Sequence, residues 1–108
     1  MRAVDLALYA DTLAAEAAAL SARAERSRSR LRQAAIERRA RAELRPEIVA
    51  RLDALGVFSA ADELATREEI RDLAVSLAAL GELQVWVERC LAADEERIGD
   101  DGWGAADV

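Results

Sequence analysis

Four arginines, Arg23, Arg26, Arg30 and Arg41, are the side chains whose type and spacing most readily suggest chemistry. At 100° per residue they fall within about 60° of one another on a helical wheel. Arg28, Arg32 and Arg39 make a second strip, and the positions Leu31, Ala35 and Ala42 run between the two. A strip of guanidinium groups can track a phosphate backbone. No aromatic residue lies within 23–45, so bases of a single strand would find nothing there to stack on. Arginines that flank an apolar seam also have a plainer use. Their stems cover the seam, and their heads pair with carboxylates at the rim of a helix pair.

Other chemistries find few residues to work with. There is no His, and Cys90 stands alone. That excludes a disulfide within the chain and a His/Cys zinc site, and it leaves a catalytic thiol without an activating base. Cys90 is expected to be a buried structural thiol beside Val87 and Leu91. The carboxylates are numerous, but a di-metal bundle site needs Glu-x-x-His. The stretch "DEERIGDDG" lacks the alternating oxygen ligands of a calcium loop. Residues Ala50 to Leu64, "ARLDALGVFSAADEL", resemble a helix-turn-helix in outline, with Gly56 and Val57 at the turn. Asp62, Glu63, Glu68 and Glu69 would then face phosphates, which repel them. Tyr9 and Trp86 read as packing or interface residues. Trp103, in a Gly- and Asp-rich end, has no local core and reads either as an unordered end or as a docking side chain.

The charge is arranged in blocks. The chain has 108 residues, and all 15 basic residues are Arg. Residues 23–45 hold nine Arg and three Glu, a net +6, whereas 46–108 hold five Arg and fifteen acids, a net −10. With a net charge of −6 overall, general attraction to a polyanion is opposed. The two blocks are expected to neutralise each other when the chain folds back or dimerises.

These residues must be positioned by helices. Residues 3 to 44 contain neither Pro nor Gly and are rich in Ala, Leu, Arg and Glu, the best helix formers. Ala3, Ala10, Ala17 and Ala24 share one heptad position, and Leu6, Leu13 and Leu20 share the one three residues later. Such a seam lets helices approach closely. It is expected to continue through Leu31, Ala34 or Ala35, and Ala42, with Ser27 replacing Leu at one step. "ERSRSR", Glu25 to Arg30, has no apolar residue and predicts solvation or a bend. A helix of this length spans roughly 60 Å, far beyond a radius of gyration of about 13 Å for a compact domain of this size. It must therefore bend or pack against another chain.

A short helix is expected from Pro46, with Ile48, Val49, Leu52 and Leu55 on one face and Gly56 just past its end. Val57 and Phe58 offer an apolar plug. Ser59 with Asp62 predicts a second short helix to Ala65. Thr66 with Glu69 repeats the cap signal before a helix from Arg67 to about Arg97. Gly81 is either a close-packing point within it or a break.

The expected fold is all-α: a long antiparallel helical hairpin with a short two-helix corner, assembling into a four-helix-bundle-type homodimer. Residues 1–98 form one helical domain and 99–108 a flexible acidic tail. The expected function is a non-enzymatic assembly or adaptor subunit that pairs in coiled-coil fashion with itself or a partner helix. Leu6, Leu13, Ala17, Leu20, Leu31 and Trp86 form the protein interface. The alternative is a nucleic-acid-binding accessory subunit or small regulator using Arg23, Arg26, Arg30 and Arg41. No cofactor, metal or membrane partner is expected. With no apolar run near 18 residues and no signal-peptide pattern, the expected location is cytoplasmic.

Overall fold

The computed structural model describes residues 2–59 and 62–106, with side chains for 2–59 and 62–94. Three helices account for nearly all of it: α1 (Ala3–Glu43), α2 (Pro46–Ala54) and α3 (Glu63–Ala106). There is no strand among the described residues. The tail expected at 99–108, with Trp103, lies outside the residues whose side chains are described.

Helix α1 runs 41 residues without interruption. Asp5 in its first turn and Arg41 in its last complement the helix dipole. Pro46 then forces Arg45 into an extended conformation, φ −64° and ψ 144°, which separates α1 from α2. Helix α2 closes with a Schellman turn. The Val57 N–H donates to the Leu52 carbonyl at 3.1 Å and the Gly56 N–H to that of Asp53 at 3.0 Å. Gly56 supplies the left-handed residue this turn requires, at φ +71°.

Among the described residues the expected second short helix is not seen as a separate element, since residues 63–65 belong to α3; residues 60 and 61 lie outside the described residues. Ser59 is not a cap; its backbone N–H and its hydroxyl both donate to Glu37 of α1, at 3.1 and 3.0 Å. The cap of α3 is Asp62, whose Oδ1 accepts the Ala65 N–H at 3.1 Å. Thr66 lies inside the first turn and donates its hydroxyl to the Asp62 carbonyl at 2.8 Å. Among the described residues the corner thus holds one helix, α2, and α3 begins four residues earlier than the Thr66 signal implies. Helix α3 also continues through Gly81 without a break.

From Ala3 to Ala34 the buried and half-buried positions of α1 are 3, 6, 10, 13, 17, 20, 24, 27, 31 and 34. That is an unbroken alternation of three and four, the spacing of a coiled-coil seam. On α3 the same alternation runs 63, 66, 70, 73, 77, 80, 84, 87, 91 and 94. Ser27, in the stretch expected to be solvated, is completely buried (0 % exposed). It occupies the seam position where a Leu would sit, and Arg30 Nη2 donates to its Oγ at 2.9 Å. Past Ala34 the seam steps to Glu37 and Ala40, so Ala35 and Ala42 are exposed. Here α1 faces the corner, where Glu37 is tied to Ser59.

The chain forms two compact units. The first comprises Met1–Leu20 with Val75–Val108, the second Ser21–Ala74. In the first unit α1 packs against α3 through Leu6, Leu13 and Val87, with Ala10, Leu80, Leu83, Cys90 and Leu91 around them. Burying each Leu or Val contributes roughly 1.5–3 kcal/mol. The second unit buries mostly small side chains: Ala24, Ser27, Ala34 and Thr66, with Leu73. What surrounds them is a set of ion pairs. Arg30 pairs with Glu69, and Arg38 with Glu63. As numbering rises along α1 it falls along α3, so the helices run antiparallel in this unit.

Candidate functional site

Helix α1 presents its arginines to acids of the second unit. Glu69 receives Arg23 Nη2 on one oxygen and Arg30 Nη2 on the other, each at 3.3 Å. The two arginines are seven residues apart, so they share one rim of the seam. Arg38 Nη1 donates to both oxygens of Glu63, at 2.9 and 2.8 Å. Arg41 donates from both Nη atoms to Asp53 of α2, and its guanidinium lies over the Phe58 ring, 4.5 Å from the centroid. Arg26 makes no ion pair among the described residues. Three of the four arginines expected to form a polyanion strip are therefore bound to carboxylates of their own chain.

The second strip is satisfied locally. Arg32 and Arg28 both pair with Glu25, and Arg39 with Glu43. The hydrogen bond and charge of Arg32, helped by Arg28, hold the Glu25 carboxyl below the usual carboxylate range. The Ser59 N–H does the same for Glu37, with Gln33, the Ser59 hydroxyl and the charge of Arg41 adding to it.

The six residues expected at a protein interface divide between inside and outside. Leu6 and Leu13 are buried in the first unit's core. Ala17 and Leu20 are half-buried along the seam in that unit, and Leu31 is half-buried in the second. Trp86 is half exposed on α3. The seam is thus occupied within the chain. What stands outside in the first unit is Val4, Leu8 and Tyr9 on α1, and Val75, Val85 and Trp86 on α3.

The corner also differs from the expectation of an apolar plug. Ile48, Val49, Leu52 and Phe58 are half-buried, whereas Leu55 and Val57 are exposed. The segment resembling a helix-turn-helix is α2 followed by the acidic start of α3, with Glu63 already engaged by Arg38.

Two features do not follow from residue types alone. Glu69 is the acid that two arginines share; its signal was the seven-residue spacing of Arg23 and Arg30. The other is an open groove on the first unit, lined among the described residues by Ala78, Gly81, Glu82, Val85 and Arg89. Gly81 was the signal for it. Among the described residues, no group of His, Cys, Asp and Glu is placed to hold a metal ion, and no helix is long and apolar enough to cross a membrane. Compared with protein-family models, curated proteins and solved structures, the chain finds no match in any of the three.

Proposed function

We propose that the chain is a non-enzymatic helical assembly subunit whose partner is a second copy of itself, the two hairpins forming a bundle of four helices. One observation carries this reading. The first unit leaves large apolar side chains on its outer faces while its own core rests on Leu6, Leu13 and Val87. Val4 and Leu8 stand one turn apart on the solvent side of α1, and Val85 and Trp86 adjoin on α3. A hairpin with an Ala-lined core this thin gains stability when a second copy covers those faces. Leu6 and Leu13 then act indirectly, by holding the hairpin that presents the outer residues.

The polyanion reading requires Arg23, Arg30 and Arg41 to leave Glu69 and Asp53; of its four arginines only Arg26 is outside an ion pair among the described residues. The internal neutralisation of the basic block favours assembly instead.

Light scattering on a sizing column, at low and high salt with absorbance at 260 and 280 nm, tests the reading. The expected species is free of nucleic acid and has at least twice the 11.7 kDa chain mass at both salts. A monomer that carries 260 nm-absorbing material and releases it in salt overturns the proposal in favour of the arginine strip.

A further inference from the structure

Gly81 sits in the middle of α3, where glycine weakens a helix, and the chain's own packing does not need it there. Apart from the adjoining backbone of its own helix, no atom of the described residues lies within 4 Å of the place a Cβ would occupy. The space opens instead onto the groove of about 610 Å³ lined, among the described residues, by Ala78, Gly81, Glu82, Val85 and Arg89. Steps of three and four along the helix set these residues on one outward strip.

The strip has a charge pattern of its own. Glu82 and Arg89 are of opposite sign and seven residues apart, about 10.5 Å along the axis. Neither takes part in an ion pair among the described residues. Between them lies exposed Val85, with Trp86 beside it. An acid at one end, a base at the other and small or apolar residues between make a surface that is its own complement when reversed. Placed antiparallel across a two-fold axis, Glu82 of each copy meets Arg89 of the other, and the two Val85 side chains meet at the centre. A partner helix of a single charge sign would match one of these groups and oppose the other.

We propose that this strip of α3 is a two-fold contact between two copies of the chain, crossing antiparallel near Val85, with Gly81 admitting the second helix to close approach. The proposal rests on the homo-assembly reading above and names the surface that performs it.

Charge reversal of the intact chain tests it, read by sedimentation or light scattering across a dilution series. Glu82→Arg places Arg opposite Arg twice, and Arg89→Glu places Glu opposite Glu twice. Each single variant is expected to associate at least about tenfold more weakly than wild type, because both symmetric pairs become repulsive. Mixing the two variants restores a heterodimer, since every pair is then of opposite sign, and the double variant E82R/R89E restores the homodimer. Gly81→Ala gives an independent reading: its thermal midpoint as a dilute monomer rises, while its association weakens. Single variants that assemble like wild type, or a mixture that forms no heterodimer, overturn the strip while a dimeric wild type leaves the assembly reading standing. A wild type that stays monomeric throughout overturns both.

Discussion

Glu37 accepts two hydrogen bonds from Ser59, one from the backbone N–H at 3.1 Å and one from the hydroxyl at 3.0 Å. A carboxylate on α1 thereby fastens the connection that precedes α3. The bonds need the ionised form, which is why Glu37 titrates below the ordinary carboxylate range. A depressed carboxyl contributes stability that is present above its unfolded pKa and lost as pH falls through the folded one. The Ser59 amide resonance is therefore expected to move with the Glu37 titration, at a pH below that of a free Glu. An amide that ignores that titration would remove the contact from consideration.

Ser27 occupies a seam position that the heptad assigns to Leu, yet it has no exposed surface. Ser27→Leu is expected to destabilise by about 1–3 kcal/mol, because a larger side chain has no room. Ser27→Ala, which only removes the acceptor for Arg30, should cost about 0.5–1.5 kcal/mol. Urea unfolding of the two variants checks the order. A Leu variant more stable than the Ala variant would show that the position is underfilled.

Glu69 holds Arg23 and Arg30 together. Both pairs are largely solvent-exposed, so Glu69→Ala should cost only about 1 kcal/mol or less. It should also free two arginines and raise retention on a heparin column, steeply so at low salt. Unchanged retention in the variant would mean that the basic strip is not available even when released.

The same substitution at two glycines is expected to act in opposite directions. Gly56 adopts φ +71°, so Gly56→Ala is strained although the space around it is open, at roughly 1 kcal/mol. Gly81 is helical, and Gly81→Ala gains about 1 kcal/mol of helix propensity with no clash inside the chain. Thermal melts at low protein concentration should therefore shift down for the first and up for the second.

Leu13→Ala and Trp86→Ala separate the hairpin from its outer face. Leu13 lies in the core, and its truncation should cost about 2–5 kcal/mol. Trp86 is half exposed, and its loss should leave the circular-dichroism spectrum of the monomer unchanged while weakening association. A Trp86 variant that unfolds would place the side chain in the hairpin's own packing.

Much of the architecture is legible in the sequence. The long Gly- and Pro-free run and Pro46 define α1 and its end, and the Ala/Leu heptad identifies the inward face through Leu20. The rest depends on relations that periodicity does not express. Ser27 reads as a polar interruption of the seam, yet the fold buries it completely beneath the Arg30 guanidinium that donates to it. Ser59 and Asp62 are both good caps by residue type. Glu37, far away in sequence, takes Ser59 and leaves the cap to Asp62. The spacing of the arginines expresses a rim, but its acids, Glu69, Glu63 and Asp53, come from other helices and are chosen by the fold. Of the outer strip only Gly81 stands out in the sequence, because helix propensity argues against glycine there without saying what uses the gap.

The division into two units also sets an order of events in folding. The contacts at the corner close short stretches of chain, 12 residues between Arg41 and Asp53 and 22 between Glu37 and Ser59. The leucine seam of the first unit joins segments from opposite ends of the molecule. Closing a loop costs more as it lengthens, and local contacts form before distant ones. The polar corner is therefore expected to form before the apolar ends join. A chain emerging amino-terminus first would hold the leucines of α1 unsatisfied until α3 has been made, an interval in which α1 is open to another nascent copy.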